Sequence, residues 1–339
     1  MLFLESFDHR SAAQGNWKWN TPPPGYITTG RTGNGQRWSA ADGWPLKTFG
    51  TDTDKMTIGV AYNTQGYANT PIVMTGPLNI FGNAATVSLQ HVGDGRLRIN
   101  FNDASVSTST FVLSLNTWYY LELQVELTQT VNIHCIATAR VNGAVIATMD
   151  YTNPNVNVYL LNRFSLIPPG GGLEATFDDL YVTDDELLGD IRIGVLYPNA
   201  AGDSAGWTPN PAGNNWQQVE EHTPDGDTSY VSAGSTGLKD LYNIDDIDPA
   251  FTGAIKGVQA LWAVKKSDEG EAAVKGVWKS GATEITQTHG HNYLAPYGYH
   301  PSAASYSYNI QPERKSLFTA ADWDAAEINA LMLGITRTL

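Results

Sequence analysis

Trp118-Tyr119-Tyr120-Leu121-Glu122-Leu123-Gln124-Val125-Glu126-Leu127 alternates without a break from Tyr120 onward. On an extended chain Leu121, Leu123, Val125 and Leu127 point one way, and Tyr120, Glu122, Gln124 and Glu126 the other. A period of two over this length predicts a β-strand with one apolar face. The pattern continues on both sides. Upstream, Val87, Leu89 and His91 alternate with Thr86, Ser88 and Gln90. Gly93-Asp94-Gly95 follows, and Arg96-Leu97-Arg98-Ile99-Asn100-Phe101 alternates again. This predicts a hairpin in which Asp-Gly supplies positive backbone angles. Downstream, Ile136–Val141 and Ala144–Met149 flank Asn142-Gly143, a type I′ turn signal. Phe164–Ile167 and Ala175–Val182 add two strands. Short strands punctuated by turns at this spacing predict a sandwich and not a βαβ fold.

The chain has 339 residues, long enough for two cores. Only 16% are charged, and Gly, Asn, Thr, Ser, Tyr and Trp fill the difference, which suits strands and turns. Net charge is −14 and no Lys/Arg cluster occurs, which argues against a phosphate-backbone partner. Cys135 is the single cysteine, so an intrachain disulfide and multi-thiolate zinc sites are excluded, and its apolar neighbours predict a buried thiol. The start, Met1-Leu2-Phe3-Leu4-Glu5, does not read as a signal peptide. No apolar run approaches a membrane span, and no Asn-x-Ser/Thr sequon occurs.

Asp184-Asp185-Glu186-Leu187-Leu188-Gly189-Asp190 is acidic and turn-rich and predicts the domain boundary. A strand over Ile191–Tyr197 and a loop over Pro198–Asn215 follow. Further strands are predicted at Ser229–Ala233, Ala254–Lys265, Ala272–Lys279, Glu284–Gln287 and Ser305–Ile310. Thr319 is a cap for a short helix over Ala320–Ile328, and Ala330–Thr336 reads as the closing strand.

Several of these segments carry a family resemblance. Glu5-Ser6-Phe7-Asp8 resembles the opening strand of laminin-G-like, or concanavalin-A-like, jelly-roll domains. Asn116–Leu123, Arg140–Val145 and Phe177-Asp178-Asp179-Leu180-Tyr181-Val182 are similar to their central strand, following hairpin and closing strand, in the family's order over about residues 1 to 185. The second half is similar to a β-domain that accompanies such modules in tailed-phage structural proteins, on Ile191–Pro198 and on Trp323–Thr338. This resemblance implies membership of a phage particle.

Five constellations bear on chemistry. Gly202-Asp203-Ser204-Ala205-Gly206 matches the nucleophile elbow, but Trp207-Thr208-Pro209-Asn210-Pro211 cannot begin the helix that the elbow requires, so a surface loop is predicted. Glu122-Leu123-Gln124-Val125-Glu126 resembles the E-x-D-x-E strand of laminarinase-type glycosidases, with Gln124 replacing the central acid that tunes its neighbours; a solvated sheet face is the preferred reading. His289, His291 and His300 lie in a Gly- and Pro-rich loop without an adjacent carboxylate, and read as ordinary loop histidines rather than metal ligands. Asp178-Asp179, Asp184-Asp185 and Asp245-Asp246-Ile247-Asp248 lack the spacing of a calcium loop and read as solvated turns. Trp38, Trp44, Tyr62, Tyr67, Tyr293, Tyr297 and Tyr299 sit in turn-rich stretches, where exposed rings stack on sugars or anchor interfaces.

These readings predict an all-β chain of two tandem β-sandwich (jelly-roll) domains, residues 1–186 and 187–339, with one short helix in the C-terminal region. The role they predict is structural or adhesive and not enzymatic: a tail fibre, tail-tip or head-decoration part of a tailed-phage virion, assembled in the host cytoplasm. Its expected partners are other virion proteins, copies of itself in a homo-oligomer and host surface glycans, with no nucleic acid and no membrane insertion. No cofactor, metal ligand or catalytic residue is assigned. The alternatives are a carbohydrate-binding module that uses Trp44 and Tyr67, and a laminarinase-like glycoside hydrolase that uses Glu122 and Glu126.

Overall fold

The computed structural model describes residues 2–8, 19, 25–76, 86–101, 104–129, 133–153, 160–184, 187–222, 225–268, 270–287 and 306–339. The chain is all-β apart from one short helix and two single turns of 3-10 helix among the described residues. It divides into two units, Met1–Ile193 and Gly194–Leu339, where the sequence places the boundary at 186/187.

In chain order the first unit contains β1 (Leu2–Glu5), β2 (Tyr26–Thr29), β3 (Asn34–Ser39), β4 (Leu46–Thr53), β5 (Lys55–Thr64), β6 (Pro71–Gly76) and β7 (Val87–His91). It continues with β8 (Arg96–Phe101), β9 (Ala104–Val112), β10 (Tyr119–Gln129), β11 (Ile133–Val141), β12 (Ala144–Asn153), β13 (Leu161–Leu166) and β14 (Glu174–Thr183). An eight-stranded antiparallel sheet runs β12-β11-β10-β5-β14-β3-β2, with β1 also on β14. A six-stranded sheet runs β4-β13-β6-β7-β8-β9.

The apolar side of each strand fills the space between these sheets. On β10, Leu121, Leu123 and Val125 are fully buried and Leu127 is 2% exposed. Each such side chain contributes about 1.5–3 kcal/mol by leaving water. From the six-stranded sheet Val87, Leu89, Leu97, Ile99 and Phe101 are equally buried. His91 joins them, and its Nε2 lies 2.8 Å from the Tyr62 hydroxyl of β5, a hydrogen bond from one sheet to the other. The Asn142-Gly143 turn has φ of 49° and 81°, as the type I′ signal requires. At the other hairpin only Gly95 is positive, and the amide of Gly95 closes the turn onto Val92.

One prediction fails on β10. Its outward face is not solvated throughout: Tyr120 and Glu122 are fully buried, Gln124 is half-buried, and exposure begins at Glu126. The cause is the segment 187–193, which folds back over this face. Leu188 and Ile191 pack against Tyr120 and Tyr181, and the Gly189 amide donates to Glu122 Oε1 at 3.0 Å.

The second unit contains β15 (Pro198–Ala205), β16 (Thr208–Asn210), β17 (Tyr230–Ser232), β18 (Lys239–Ile244), β19 (Val258–Val264), β20 (Val274–Ser280), β21 (Thr283–Thr286), β22 (Ser307–Glu313), helix α1 (Ala325–Asn329) and β23 (Leu331–Arg337). A five-stranded sheet, β15-β18-β23-β20-β21, and the β19-β22 pair enclose a core of Ile244, Ala260, Trp278, Trp323, Ile328 and Leu331. The strand predicted over Ile191–Tyr197 does not form, because its amides turn to side chains: Ile193 donates to Asp179 and Tyr197 to Asp245. A strand forms instead at Pro198–Ala205, where a loop was predicted, along the free edge of β18. Gly202 lets the two backbones meet, since a β-carbon there would lie 2.6 Å from the Leu241 carbonyl oxygen. Helix α1 starts later than predicted, because Asp324 rather than Thr319 caps it, accepting from the Glu327 amide at 2.8 Å.

Candidate functional site

The outward side of the six-stranded sheet is set by the same alternation that builds the core. With Leu97, Ile99 and Phe101 inward, Arg98 and Asn100 point outward; with Val87, Leu89 and His91 inward, Ser88 and Gln90 point outward. Strand pairing aligns Asn100, Ser88, Met74, Ser165 and Leu46 in one cross-strand row. Arg98 and Gln90 are partners in the adjoining row. The two rows present guanidinium, amide and hydroxyl groups and no carboxylate.

These groups are recessed. Ser88 and Asn100 are 4% exposed, Ser165 4% and Gln90 5%. Most are held by one another. Gln90 Nε2 donates to Ser88 Oγ at 3.1 Å, and Arg98 Nε donates to Gln90 Oε1 at 2.9 Å. Ser165 Oγ donates to the Pro45 carbonyl at 2.6 Å. The exception is Asn100 Oδ1, a buried acceptor with no partner. Such an atom costs about 1–3 kcal/mol unless something donates to it. Trp44, 54% exposed, neighbours Pro45 and so stands at the β4 margin of this face. The arrangement offers the half-buried, fixed Arg98 guanidinium to an oxygen-rich ligand, with the exposed Trp44 at the far edge of the same sheet.

The residues singled out in the sequence fall elsewhere. Glu122 is sealed under segment 187–193, where Oε1 accepts from the Tyr181 hydroxyl at 2.7 Å and Oε2 has no partner. Burial raises its pKa, outweighing the Tyr181 and Gly189 bonds. A residue 0% exposed cannot meet a polysaccharide, so Glu122 and the exposed Glu126 do not form the carboxylate pair of a glycosidase.

Asp178 and Asp179 are not a solvated turn. They mark the point where β14 changes partner from β3 to β1, and Asp179 has φ 46°. Both are fully buried. Asp178 Oδ2 accepts from the amides of Arg31 (2.7 Å) and Thr32 (3.2 Å). Asp179 pairs with the Arg31 guanidinium at 3.0 Å and accepts from the Ile193 amide at 2.8 Å. Burial, then the facing Asp179 charge, pushes Asp178 up to about 8, and burial raises Asp179 as well. Arg31 reaches on to Asp190 at 2.5 Å and to the Ile191 carbonyl, and its guanidinium lies 4.9 Å from the centre of the Tyr120 ring. This cluster is a clamp that holds the 187–193 segment to the sheet, with donors of the chain itself in the positions a cation would take. Asp245 accepts from the Tyr197 amide at 3.0 Å, and Asp248 from the Ala250 amide at 2.8 Å. Among the described residues no group of three or more His, Cys, Asp or Glu is arranged to hold a metal ion.

Ser204 lies in strand β15, not in a loop, and its Oγ donates to the Lys239 carbonyl at 2.9 Å. Trp38 and Tyr62 are core residues, and Trp38 stacks on Phe177 with ring centres 4.4 Å apart. The Tyr67 hydroxyl donates to the Leu113 carbonyl, which leaves Trp44 as the exposed ring among the four described members of that set, Trp38, Trp44, Tyr62 and Tyr67. His289, His291, His300, Tyr293, Tyr297 and Tyr299 lie outside the described residues. The sequence reading missed Arg98, Gln90 and Asn100 as a group. The signal was present in the alternation of Arg96–Phe101, which already placed Arg98 and Asn100 on one face.

No family model and no curated protein matches the chain. Among solved structures, it is similar to the alginate lyase Aly36B in complex with an alginate tetrasaccharide, at 12% identity and TM-score 0.43, over 55% of this chain and 98% of that one. It is similar to the Trypanosoma rangeli sialidase at 14% identity and TM-score 0.35, over 48% of this chain and 27% of the sialidase. It is also similar to domain 4 of AbnA, a GH43 extracellular arabinanase from Geobacillus stearothermophilus, in complex with arabinotriose, at 15% identity and TM-score 0.37, over 53% of this chain and 90% of that domain. The prediction of a chain that is not an enzyme is corrected by these neighbours, since a lyase and a sialidase, both carbohydrate-processing enzymes, stand among the chains it is similar to.

Proposed function

We propose that the first unit recognises carbohydrate on the outward face of its six-stranded sheet. The observation that carries this reading is the half-buried Arg98 guanidinium, held at its Nε by Gln90, on two rows of amide and hydroxyl groups that carry no carboxylate. The Arg98 Nη groups would donate to oxygens of one sugar residue. Trp44 adds a ring for an apolar sugar face. Because the rows carry a guanidinium and no carboxylate, a saccharide bearing carboxylate groups is favoured over a neutral one. Calorimetric titration of the whole chain with uronate and neutral oligosaccharides tests the reading. Binding weakened about tenfold or more by Arg98→Ala is expected. Absence of binding across both panels contradicts it.

The finer placement, an adhesive part of a tailed-phage virion present in several copies beside other virion proteins, is supported by the order of the laminin-G-like segments through Phe177–Val182 and by Ile191–Pro198. Mass spectrometry of purified virions tests it, and absence of the chain contradicts it.

A further inference from the structure

The second unit contains a cavity of about 560 Å³ lined by Tyr197, Trp216, Glu220, Glu221, His222 and Asp245, among others. Four separate stretches build it, 197–199, 216–222, Ser229 and Asp245. The Tyr197 and His222 rings stack face to face, 4.0 Å between centres and 5° apart. Tyr197 is fixed at its backbone, whose amide donates to Asp245 Oδ2 at 3.0 Å while its carbonyl accepts from the Asp245 amide at 2.9 Å. Trp216 sits on the 3-10 turn Asn215–Gln218, which is anchored by Asn215 Nδ2 to the buried Asp240 at 2.6 Å and to the Trp207 carbonyl at 2.8 Å. Glu221 is positioned by the Ser229 hydroxyl, itself 2.9 Å from Asp225. The wall thus joins three aromatic rings with the carboxylates of Glu220, Glu221 and Asp245, and among the described residues no Lys or Arg lines it.

We propose that this cavity is a second ligand site, separate from the sheet face of the first unit, and that it takes an organic ammonium ion. The size suits a small molecule, as such sites are about 300–1,000 Å³. Aromatic rings attract a cation through their negative faces, and this attraction strengthens when the cation leaves bulk water. Carboxylates with no basic neighbour in the wall add to it and disfavour anions. A neutral sugar would use the rings but would gain nothing from the three negative charges.

Two sources supply this chemistry, a quaternary ammonium such as choline and the primary ammonium of an amino sugar. Trp fluorescence and calorimetry on the whole chain would use choline chloride, D-glucosamine hydrochloride and neutral N-acetylglucosamine. Saturable binding of either ammonium is expected, with N-acetylglucosamine on the order of tenfold weaker. Choline alone, glucosamine alone or both identify the source, and each supports the site. Trp216→Ala should weaken binding on the order of tenfold, and so should the shape-conserving Glu221→Gln, with near-ultraviolet circular dichroism confirming that each variant is folded. Equal binding of glucosamine and its N-acetyl form would overturn the proposal. So would the absence of saturable binding of both ammonium ions, or binding unchanged in both variants. Loss of saccharide binding in Arg98→Ala leaves this outcome untouched, which separates the two sites.

Discussion

Replacing Arg31 with Ala removes the centre of the clamp on the eight-stranded sheet. The guanidinium is 9% exposed and pairs with Asp179, which is fully buried, at 3.0 Å. Without it Asp179 keeps the Ile193 amide at 2.8 Å, the Thr32 hydroxyl at 3.1 Å and the partly exposed Arg192 guanidinium at 3.8 Å, but loses the buried guanidinium that faces it directly. Removing one partner of a buried ion pair costs about 3–5 kcal/mol. The link to Asp190, which is 46% exposed, adds little, since solvent screens it. The amides of Gly189 and Ile193 report on the same event, because both donate to carboxylates beneath the covering segment. The assay is urea unfolding of the whole chain, with hydrogen exchange read by mass spectrometry over 187–193 and over β14. The variant should lose about 3–5 kcal/mol in unit 1 and expose the segment amides to exchange before β14 opens. Arg31→Lys restores charge without the planar fork and should recover less than half of the loss. A loss below about 1 kcal/mol with unchanged protection would refute the clamp, since that is the scale of a surface pair.

Three other outcomes follow from buried groups. Burial pushes His91 from 6.5 down to about 4, so the folded ring stays neutral where the unfolded one takes a proton; its contribution is complete above pH 6.5 and falls away toward pH 4, by about 1.4 kcal/mol per pH unit. His91→Gln should flatten the decline of the urea midpoint over that window relative to the unaltered chain, and an unchanged slope contradicts it. Cys135 is fully buried and its thiol is pushed up to about 12, so N-ethylmaleimide should label it only in denaturant; labelling of the native chain at about pH 8 would show an open thiol. A methyl on Gly59 would lie 2.0 Å from Tyr181 Cε1, so Gly59→Ala should cost about 1–3 kcal/mol in thermal unfolding and shift the Tyr181–Glu122 contact; an unaltered melting temperature contradicts the packing.

The parts of the fold legible in the sequence were those where one face alone is apolar. β10 was readable because Leu121, Leu123, Val125 and Leu127 alternate with polar groups, and the Asn142-Gly143 turn because few other pairs adopt its angles. β15 was hidden, because Pro198, Asn199, Gly202 and Asp203 have loop composition and only the open edge of β18 recruits them. Burial of Glu122 was hidden for another reason: it depends on a segment more than sixty residues away folding back, which local alternation does not encode. The recess around Asn100 was half legible. Periodicity put Arg98 and Asn100 together, but only strand pairing brings Gln90 and Ser88 beside them. The second-unit cavity was not legible, since Tyr197, Trp216, Glu221 and Asp245 meet only through tertiary contacts, and Asp245 read as part of a solvated turn.

The central claim is that the outward face of the six-stranded sheet binds saccharide. Amide hydrogen exchange of the whole chain, with and without a saturating acidic oligosaccharide, tests it most directly. Slowed exchange confined to peptides over Val87–His91 and Arg96–Phe101 is the predicted result, with the Glu126 face of the eight-stranded sheet unchanged. Protection on that opposite face, with none at Gln90 or Asn100, would contradict the account.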